Sequence, residues 1–523
     1  MLLVFERDDI LLAKAISNTV LGIKGYQVEV EVDIAKGLPS FNIVGLPDKA
    51  VKEARQRVRA AIKNSGFNFP VKKIIVNLAP AGIKKAGAAF DLPIAIGILS
   101  AMGKVNSDLL NDYYLVGELS LDGQIKGVKG SLVRTLLAKD KSKKGIVLPA
   151  LNYYETEAID EVDVIAVNTL KQAIKFLNTA QKPNIKIKKT VSTTKKKKEI
   201  DYSDVKGQKV AKRALEIAAA GGHNLIMFGP PGAGKTMLAR RMPTILPDLT
   251  KEEALEVTKI FSISGKLSKK NNLITKAVFR NPHHSISQAG LIGGGRIPEP
   301  GEISLAHNGV LFLDEIAEFK RDALEALREP VEQGEVTISR SLLNLTYPAN
   351  FMLIASSNLC PCGFLGDKSG RCKCSRSKIR NYQRKISGPL LDRIDIQIKL
   401  NPLKPTELLE QEENESSIEI KKRVIKARKV QFNRFKLEGF NYNFEINNAK
   451  MNKYCSLDNQ AKVFLKRILS KLNLSARAYN KILKLSRTIA DLAMNKKITK
   501  SHIAEAVQYR DLDRRAENFE LYS

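Results

Sequence analysis

The chain is short of cysteine, of long apolar runs and of acidic residues, and each shortage excludes something. Five cysteines among 523 residues cannot build a disulfide framework. Four of them fall between Cys360 and Cys374, which points to a metal in a reducing compartment. The most apolar segment, Leu92–Gly103, is interrupted by Pro93 and is too short to span a bilayer. The opening residues Met1 to Asp9 lack the basic region, apolar core and cleavage site of a secretory leader. A cytoplasmic protein with no membrane partner is expected. Acids are outnumbered, 55 Asp and Glu against 86 Lys and Arg, leaving a net charge of +31. That excess suggests a polyanionic partner, nucleic acid first, although a lysine-rich proteome would inflate charge in the same way. The length calls for roughly three domains.

What the sequence does contain is organised around Gly229-Pro230-Pro231-Gly232-Ala233-Gly234-Lys235-Thr236. Apolar Leu225 to Phe228 precedes this G-x-x-x-x-G-K-T run, as a buried strand would, and helix-forming residues follow. Glycines let backbone N–H groups close around phosphate oxygens, and the next helix turns its positive end to the same anion. Lys235 is expected to reach the β- and γ-phosphates and Thr236 to ligate Mg2+. Val310 to Leu313 is an apolar run ending in Asp314 and Glu315. The first acid suits the magnesium shell and the second suits polarising the attacking water. Phe351 to Ser357 is a further buried strand, ending in Asn358. Two C-x-C pairs, Cys360 and Cys362, then Cys372 and Cys374, can place four thiolates around one tetrahedral ion, and structural zinc is the expectation. Gly363, Gly366, Asp367 and Gly370 suit the turn between the pairs, and Lys368, Arg371, Lys373, Arg376 and Lys378 would offset thiolate charge or meet phosphate. Free or redox-active thiols are the alternative. His283 and His284 are adjacent, so on a strand they would diverge, which favours structural or pore-loop roles over joint ligation of a metal.

Residues 1–178 read as an α+β unit. Val28, Val30, Val32 and Ile34 alternate with polar residues, Lys49–Asn64 is an amphipathic helix, and Lys73–Leu78 and Tyr114–Leu119 read as strands. Residues 179–200 form a basic linker, either a tether for nucleic-acid phosphates or a solvated hinge. Residues 201–403 hold the nucleotide motifs and the cysteines. Glu335 to Tyr347 reads as a hairpin whose Arg340 is a candidate DNA contact. Residues 404–523 are helical, with Ile420, Val424, Ala427 and Val430 on one face of the first helix.

Several of these stretches resemble known families. Pro80-Ala81-Gly82 with Lys85 to Ala89, and Gly117 to Gly123, are similar to the segments that carry the Ser–Lys dyad of Lon-type proteases. In that alignment Ala89 and Leu132 stand at the serine and lysine positions. Neither supplies a nucleophile or a base, so no peptidase activity is expected. Asp204-Val205-Lys206-Gly207-Gln208 resembles the AAA+ element that lies against adenine, which implies contacts from Val205 and Gln208. Asn358 resembles the residue that orients water near the γ-phosphate. Arg393, in Gly388 to Asp395, resembles the arginine finger that acts on a neighbouring subunit's nucleotide. Arg477, in Ser475 to Tyr479, resembles the lid arginine that contacts nucleotide. Arg280 to Ser285, and Gly293 to Arg296 with Pro298 to Glu302, resemble the magnesium-chelatase branch of AAA+ proteins.

Taken together, these residues resemble the ComM/YifB group of magnesium-chelatase-like AAA+ ATPases. The resemblance implies a multidomain α/β fold. Its parts would be an N-terminal α+β Lon-protease-like (ribosomal S5 domain 2-like) domain, a central AAA+ P-loop NTPase domain and a C-terminal all-α lid. It further implies ATP and Mg2+ as cofactors, a homo-hexamer, single-stranded and branched DNA as partner, and recombination proteins as further partners. Branch migration during natural transformation is the activity implied. A magnesium-chelatase motor subunit, a protein unfoldase and a nucleotide-switched DNA-binding scaffold are the alternatives.

Overall fold

The computed structural model describes residues 11–185, 200–268, 272–295, 297–340, 343–365, 370–402, 414–472 and 475–510. Most of the basic linker lies outside these residues, as do Arg296, Gly366, Asp367 and Lys368. The chain forms a multidomain α/β protein whose residues fall into two units, 1–193 with 254–274, and 194–253 with 275–523.

In the first unit, period-two alternation builds the central strand. Lys24–Ala35 turns Val28, Val30, Val32 and Ile34 into the core. It pairs antiparallel with Leu11–Leu21 on one side and Lys73–Ala79 on the other, and Ser40–Val44 lies parallel beyond. Helix Lys49–Asn64 starts where Asp48 accepts the Val51 N–H at 2.8 Å, and buries Val51, Ala54, Val58, Ala61 and Ile62. Helix Asp91–Ala101 is apolar on all sides and buried. A second, parallel sheet joins Tyr113–Leu115, Gly145–Pro149 and Asp163–Val167.

The strand expected over Tyr114–Leu119 is broken. Tyr113–Leu115 and Glu118–Leu119 belong to different sheets. Gly117 between them spends its N–H on Ala89 O and its carbonyl on the Leu92 N–H, both at 3.0 Å, which takes it out of any ladder. Ala89 and Leu132 are both buried. Buried Lys85, four residues before Ala89, gives its ammonium to the Pro80 carbonyl, and burial lowers its pKa.

Residues 254–274, expected inside the nucleotide domain, instead group with the first unit. The reason is polar. Ser262 donates to the buried Glu155 carboxylate at 2.5 Å and accepts the Gly130 N–H on its carbonyl at 3.0 Å.

The second unit is built on a five-stranded sheet in which every neighbour is parallel. The order is Phe279–Arg280, Val310–Leu313, Met352–Ser357, Leu225–Phe228, Ile396–Lys399. Strands Val310–Leu313 and Met352–Ser357 are buried end to end, as continuous apolar runs require. Helices Ser417–Phe435, Asn459–Leu472, Ala476–Leu492 and Lys500–Gln508 follow. They share one hydrophobic core with the sheet, in which Val424, Ile482 and Ile489 cluster with Leu225, Met227 and Leu238. The helical part and the sheet therefore fall in one unit. The first of these helices buries Ile420, Val424 and Ala427, but Gln431 takes the fourth place expected of Val430. Gln431 can be buried because both ends of its amide are used, on Ala220 O and the Asn443 N–H, each at 3.0 Å.

Among the described residues, no helix is long and apolar enough to cross a membrane.

Candidate nucleotide site and cysteine cluster

Parallel register brings the separate motifs to one end of the sheet. Phe228 pairs with Ser357 and Leu313 with Ala355, so the residues that follow each strand emerge side by side. Gly229 donates to Ser357 O at 3.2 Å and begins the loop. Gly232 and Gly234 have φ of +79° and +88°, a region that side-chain-bearing residues avoid. Lys235 opens helix Lys235–Arg240 and is buried. Its ammonium donates to Gly229 O at 2.6 Å, Pro230 O at 3.1 Å and Asn358 Oδ1 at 2.9 Å. Burial lowers its pKa, and the charges of Asp314 and Glu315 oppose that shift.

Thr236 Oγ1 donates to Asp314 Oδ2 at 2.7 Å. Ser356, to which the sequence alone assigns no role, holds the acid pair in place. Its hydroxyl donates to Asp314 Oδ1 at 2.5 Å and accepts the Glu315 N–H at 3.1 Å. The signal for it is the register: with Leu313 opposite Ala355, the next residue along is Ser356 opposite Asp314. Glu315 is exposed, at φ +53°, beyond the end of its buried strand. Gln208 Nε2 donates to Ala233 O at 3.3 Å and to Asn401 O at 2.8 Å, which ties the Asp204 to Gln208 element to the loop backbone. Val205 is buried in the adjoining core.

The two arginines lie elsewhere. Arg393 precedes strand Ile396–Lys399, whose Ile396 pairs with Leu225 and whose Lys399 pairs with Phe228. It therefore sits at the opposite end of the sheet from the loop after Phe228, a strand length of roughly 13 Å away. It forms an ion pair with Glu332 and donates to Pro389 O at 2.8 Å. Arg477 donates to Asp392 Oδ2 at 3.2 Å, next to Arg393. Arg477, expected to contact nucleotide from the lid, thus lies with helix Ala476–Leu492 at the Arg393 end of the sheet, away from the loop after Phe228. Lys481, one turn on, donates to Ile394 O at 2.8 Å. A cavity of ≈ 720 Å³ lined by Leu246, Phe351, Arg428, Phe432 and Tyr442 also contains Asn308 and Asn350, which precede their strands. It too is at the end away from the phosphate loop.

The residues that distinguish the segment between the Gly229–Thr236 loop and the Asp314–Glu315 pair are joined. Arg280 makes a bidentate pair with Glu302 at 2.6 and 2.7 Å, and Gly293–Gly294 pairs with Glu299–Pro300. His283 and His284 do not diverge as strand residues would. The strand ends at Arg280, and the rings pack 4.1 Å apart in the turn that follows, with His283 on Ser285 at 2.8 Å. Arg340 is exposed at the end of the strand Glu335–Arg340, which pairs with Leu343–Pro348.

The four clustered cysteines converge. Cys360 Sγ lies 3.3 Å from Cys362 Sγ and 3.7 Å from Cys372 Sγ, Cys362 lies 3.6 Å from Cys372, and all four sulfurs fall within 4.8 Å of one another. Four thiolates at the usual zinc–sulfur length of about 2.3 Å around a tetrahedral centre stand about 3.8 Å apart, so the donor set fits such an ion. Burial pushes the Cys360 thiol up to about 12, whereas the Phe364 N–H holds Cys362 down to about 7. Arg371, Lys373, Arg376 and Lys378 are exposed around the cluster.

Comparison with known proteins matches three successive stretches of the chain. A family model described as magnesium chelatase, subunit ChlI, matches residues 201–408. Models for subunit ChlI of Mg-chelatase and for the ChlI C-terminal region match residues 30–152 and 414–510. Competence protein ComM of Haemophilus influenzae is 42% identical over 508 residues, 96% of this chain and 98% of that protein. The protein YifB of Escherichia coli is 43% identical over 500 residues, covering 95% of this chain and 97% of its own. The magnesium-chelatase 67 kDa subunit of Chlorobaculum parvum is 29% identical over 163 residues, 30% of this chain and 23% of that subunit.

Proposed function

The chain belongs to the ComM/YifB family of magnesium-chelatase-like AAA+ proteins, and from that premise we propose that it is an ATP-driven motor acting on DNA, working as a hexamer and promoting branch migration of recombination intermediates. The observation that carries the reading is the single cluster of Lys235, Thr236, Asp314, Glu315 and Asn358, with Arg393 at the far end of the same sheet. Thr236 and Asp314 offer hard oxygens 2.7 Å apart, the donor type that magnesium takes. In this reading those two residues hold the Mg2+ that accompanies ATP, and the metal supplies charge neutralisation for phosphoryl transfer. The backbone from Gly229 to Gly234 cradles the phosphates. Lys235 neutralises their charge, Glu315 orients and polarises the attacking water, and Asn358 holds the Lys235 ammonium in place.

Arg393 is too far from its own chain's loop to serve it and is the finger for a neighbour's nucleotide. The pair with Glu332 is open to solvent on the acid's side, Glu332 being 63% exposed against 22% for Arg393, so in this reading the acid releases the arginine to a neighbour. Arg477 belongs with Arg393 on that neighbour-facing side. DNA as the substrate is supported by the net charge of +31 and by the name of the competence relative. Arg340 and the basic rim of the cysteine cluster are the proposed phosphate contacts, and the four cysteines hold a structural zinc. The first unit lacks a Ser–Lys dyad in the proposed alignment and serves as a scaffold, not a peptidase. A magnesium-chelatase motor subunit is the second reading, favoured by the family models; the 67 kDa subunit's match to only 30% of the chain weighs against it.

The test is ATP hydrolysis with and without single-stranded and forked DNA, followed by strand exchange on a three-way junction, with Lys235→Ala and Glu315→Gln as controls. Stimulation by DNA and ATP-dependent exchange are expected. Hydrolysis indifferent to DNA but raised by unfolded protein overturns the reading.

A further inference from the structure

We propose that the cysteine cluster and the ATP site are one mechanical unit, in which a metal ion held by Cys360, Cys362, Cys372 and Cys374 fixes Asn358 and the phosphate loop, so that ATP turnover depends on the ion. The inference rests on the reading of the four cysteines as a metal site.

Two contacts link the sites. The first runs along the chain. Asn358 accepts from the Lys235 ammonium at 2.9 Å, and buried Cys360 follows two residues later. The residue between them is clamped, because Gln383 Nε2 donates to Leu359 O at 3.0 Å. A displacement of Cys360 is therefore passed to Asn358 across a short segment with little freedom to absorb it.

The second contact is through space. Gly363 closes the turn of the first cysteine pair, donating to Cys360 O at 3.0 Å with φ of +83°. A Cβ placed on it would stand 2.8 Å from both Cγ and Cδ of Pro231, and 3.9 Å from Asn358 Cγ. The cysteine turn thus lies directly against the phosphate loop, and glycine is required both by its backbone and by that approach. The second pair is drawn to the first by Arg371, whose guanidinium stacks over the Phe364 ring at 4.4 Å. An ion bonded to all four sulfurs is the crosslink that holds both arms, and through them Pro231 and Asn358, in register with Lys235. Groups that orient a reacting centre from one layer out typically change activity about 10- to 100-fold when lost.

The experiment uses the full-length chain, purified with its thiols reduced. Zinc is measured by elemental analysis and removed with a reversible mercurial; thiol and zinc are then added back. One zinc per chain is expected, with kcat falling about 10- to 100-fold on extraction and returning on reconstitution. Gly363→Ala is expected to keep its zinc yet lose kcat about tenfold or more, because the clash with Pro231 remains. A readout independent of turnover is the thiolate-to-metal charge-transfer band of the cobalt-substituted protein. It is expected to shift when Mg2+ and a non-hydrolysable ATP analogue are added. Zinc present, with kcat indifferent to its removal and a cobalt band blind to nucleotide, overturns the coupling and leaves the metal site standing. Reduced protein that binds neither zinc nor cobalt overturns the metal site and the coupling with it.

Discussion

Lys235 is surrounded by oxygen: two loop carbonyls and the Asn358 amide take its three donors. Burial works against its charge, and the nearby Asp314 and Glu315 carboxylates partly restore it. In the proposed role those donors are what phosphate oxygens compete for. Lys235→Ala is then expected to lose nucleotide binding, read with a fluorescent ATP analogue, along with hydrolysis. Glu315→Gln is expected to keep binding and lose kcat by about 10²-fold or more, because only the polarising group is gone. Equal loss of binding in both variants would contradict the division of labour between them. Most of this site is legible as residue types, since G-x-x-x-x-G-K-T and an acid pair after an apolar run carry their chemistry in their spacing. Ser356 is not, because a serine at the end of a strand is unremarkable until the register sets it against Asp314. The spacing of the cysteine pairs suggests a metal site, but only the fold sets Gly363 against Pro231.

At the scale of elements, helices and strands follow from periodicity where one face is buried, as Lys24–Ala35 and Lys49–Asn64 do. Reading by pattern fails where a partner from elsewhere intervenes. Gly117 is captured by Ala89 and Leu92, and Gln431 is buried on Ala220 and Asn443. Neither partner is visible within a local window. The junction of sheet and helices shows the same dependence on distant partners. Asp395, just before the strand Ile396–Lys399, is buried, and burial opposes its ionisation. The His223 ring at 3.5 Å and the Lys481 ammonium at 3.8 Å, with Lys484 further off, outweigh that and hold its carboxyl well below the usual range. A carboxyl with a depressed folded pKa stabilises fully above its unfolded value of about 3.9, and the contribution drains away as pH falls below that. Asp395→Asn is therefore expected to lower Tm at pH 7. The gap to the parent protein should narrow as the pH is taken from about 5 to about 3. A gap constant over that range would mean that shape rather than charge is what matters at 395.

At the scale of the whole molecule, the question is whether one chain contains a complete ATP site. The parallel sheet answers geometrically: the loop at Gly229–Thr236 leaves one end, and Arg393 enters the other. The two cannot meet within a chain unless the strands between them are undone. A second copy, however, can present its Arg393 to the first copy's loop, and a closed ring lets every copy do so. This has a consequence that single substitutions cannot reach. Lys235→Ala spoils the loop of its own chain and leaves its Arg393 intact; Arg393→Ala does the reverse. Each is expected to be inactive alone, the second by about 10³-fold or more if the finger stabilises the transferring phosphoryl group. Mixed in equal amounts and allowed to exchange, they pair an intact loop with an intact finger at about a quarter of the interfaces. ATPase activity should therefore reappear on mixing, to about that fraction of the parent's, and should fall when the mixture is diluted below its assembly concentration. If Arg393 served its own chain's nucleotide, no interface in the mixture would be whole and activity would stay at the level of the separate variants. Recovery on mixing thus distinguishes a site shared between copies from one contained in a single fold.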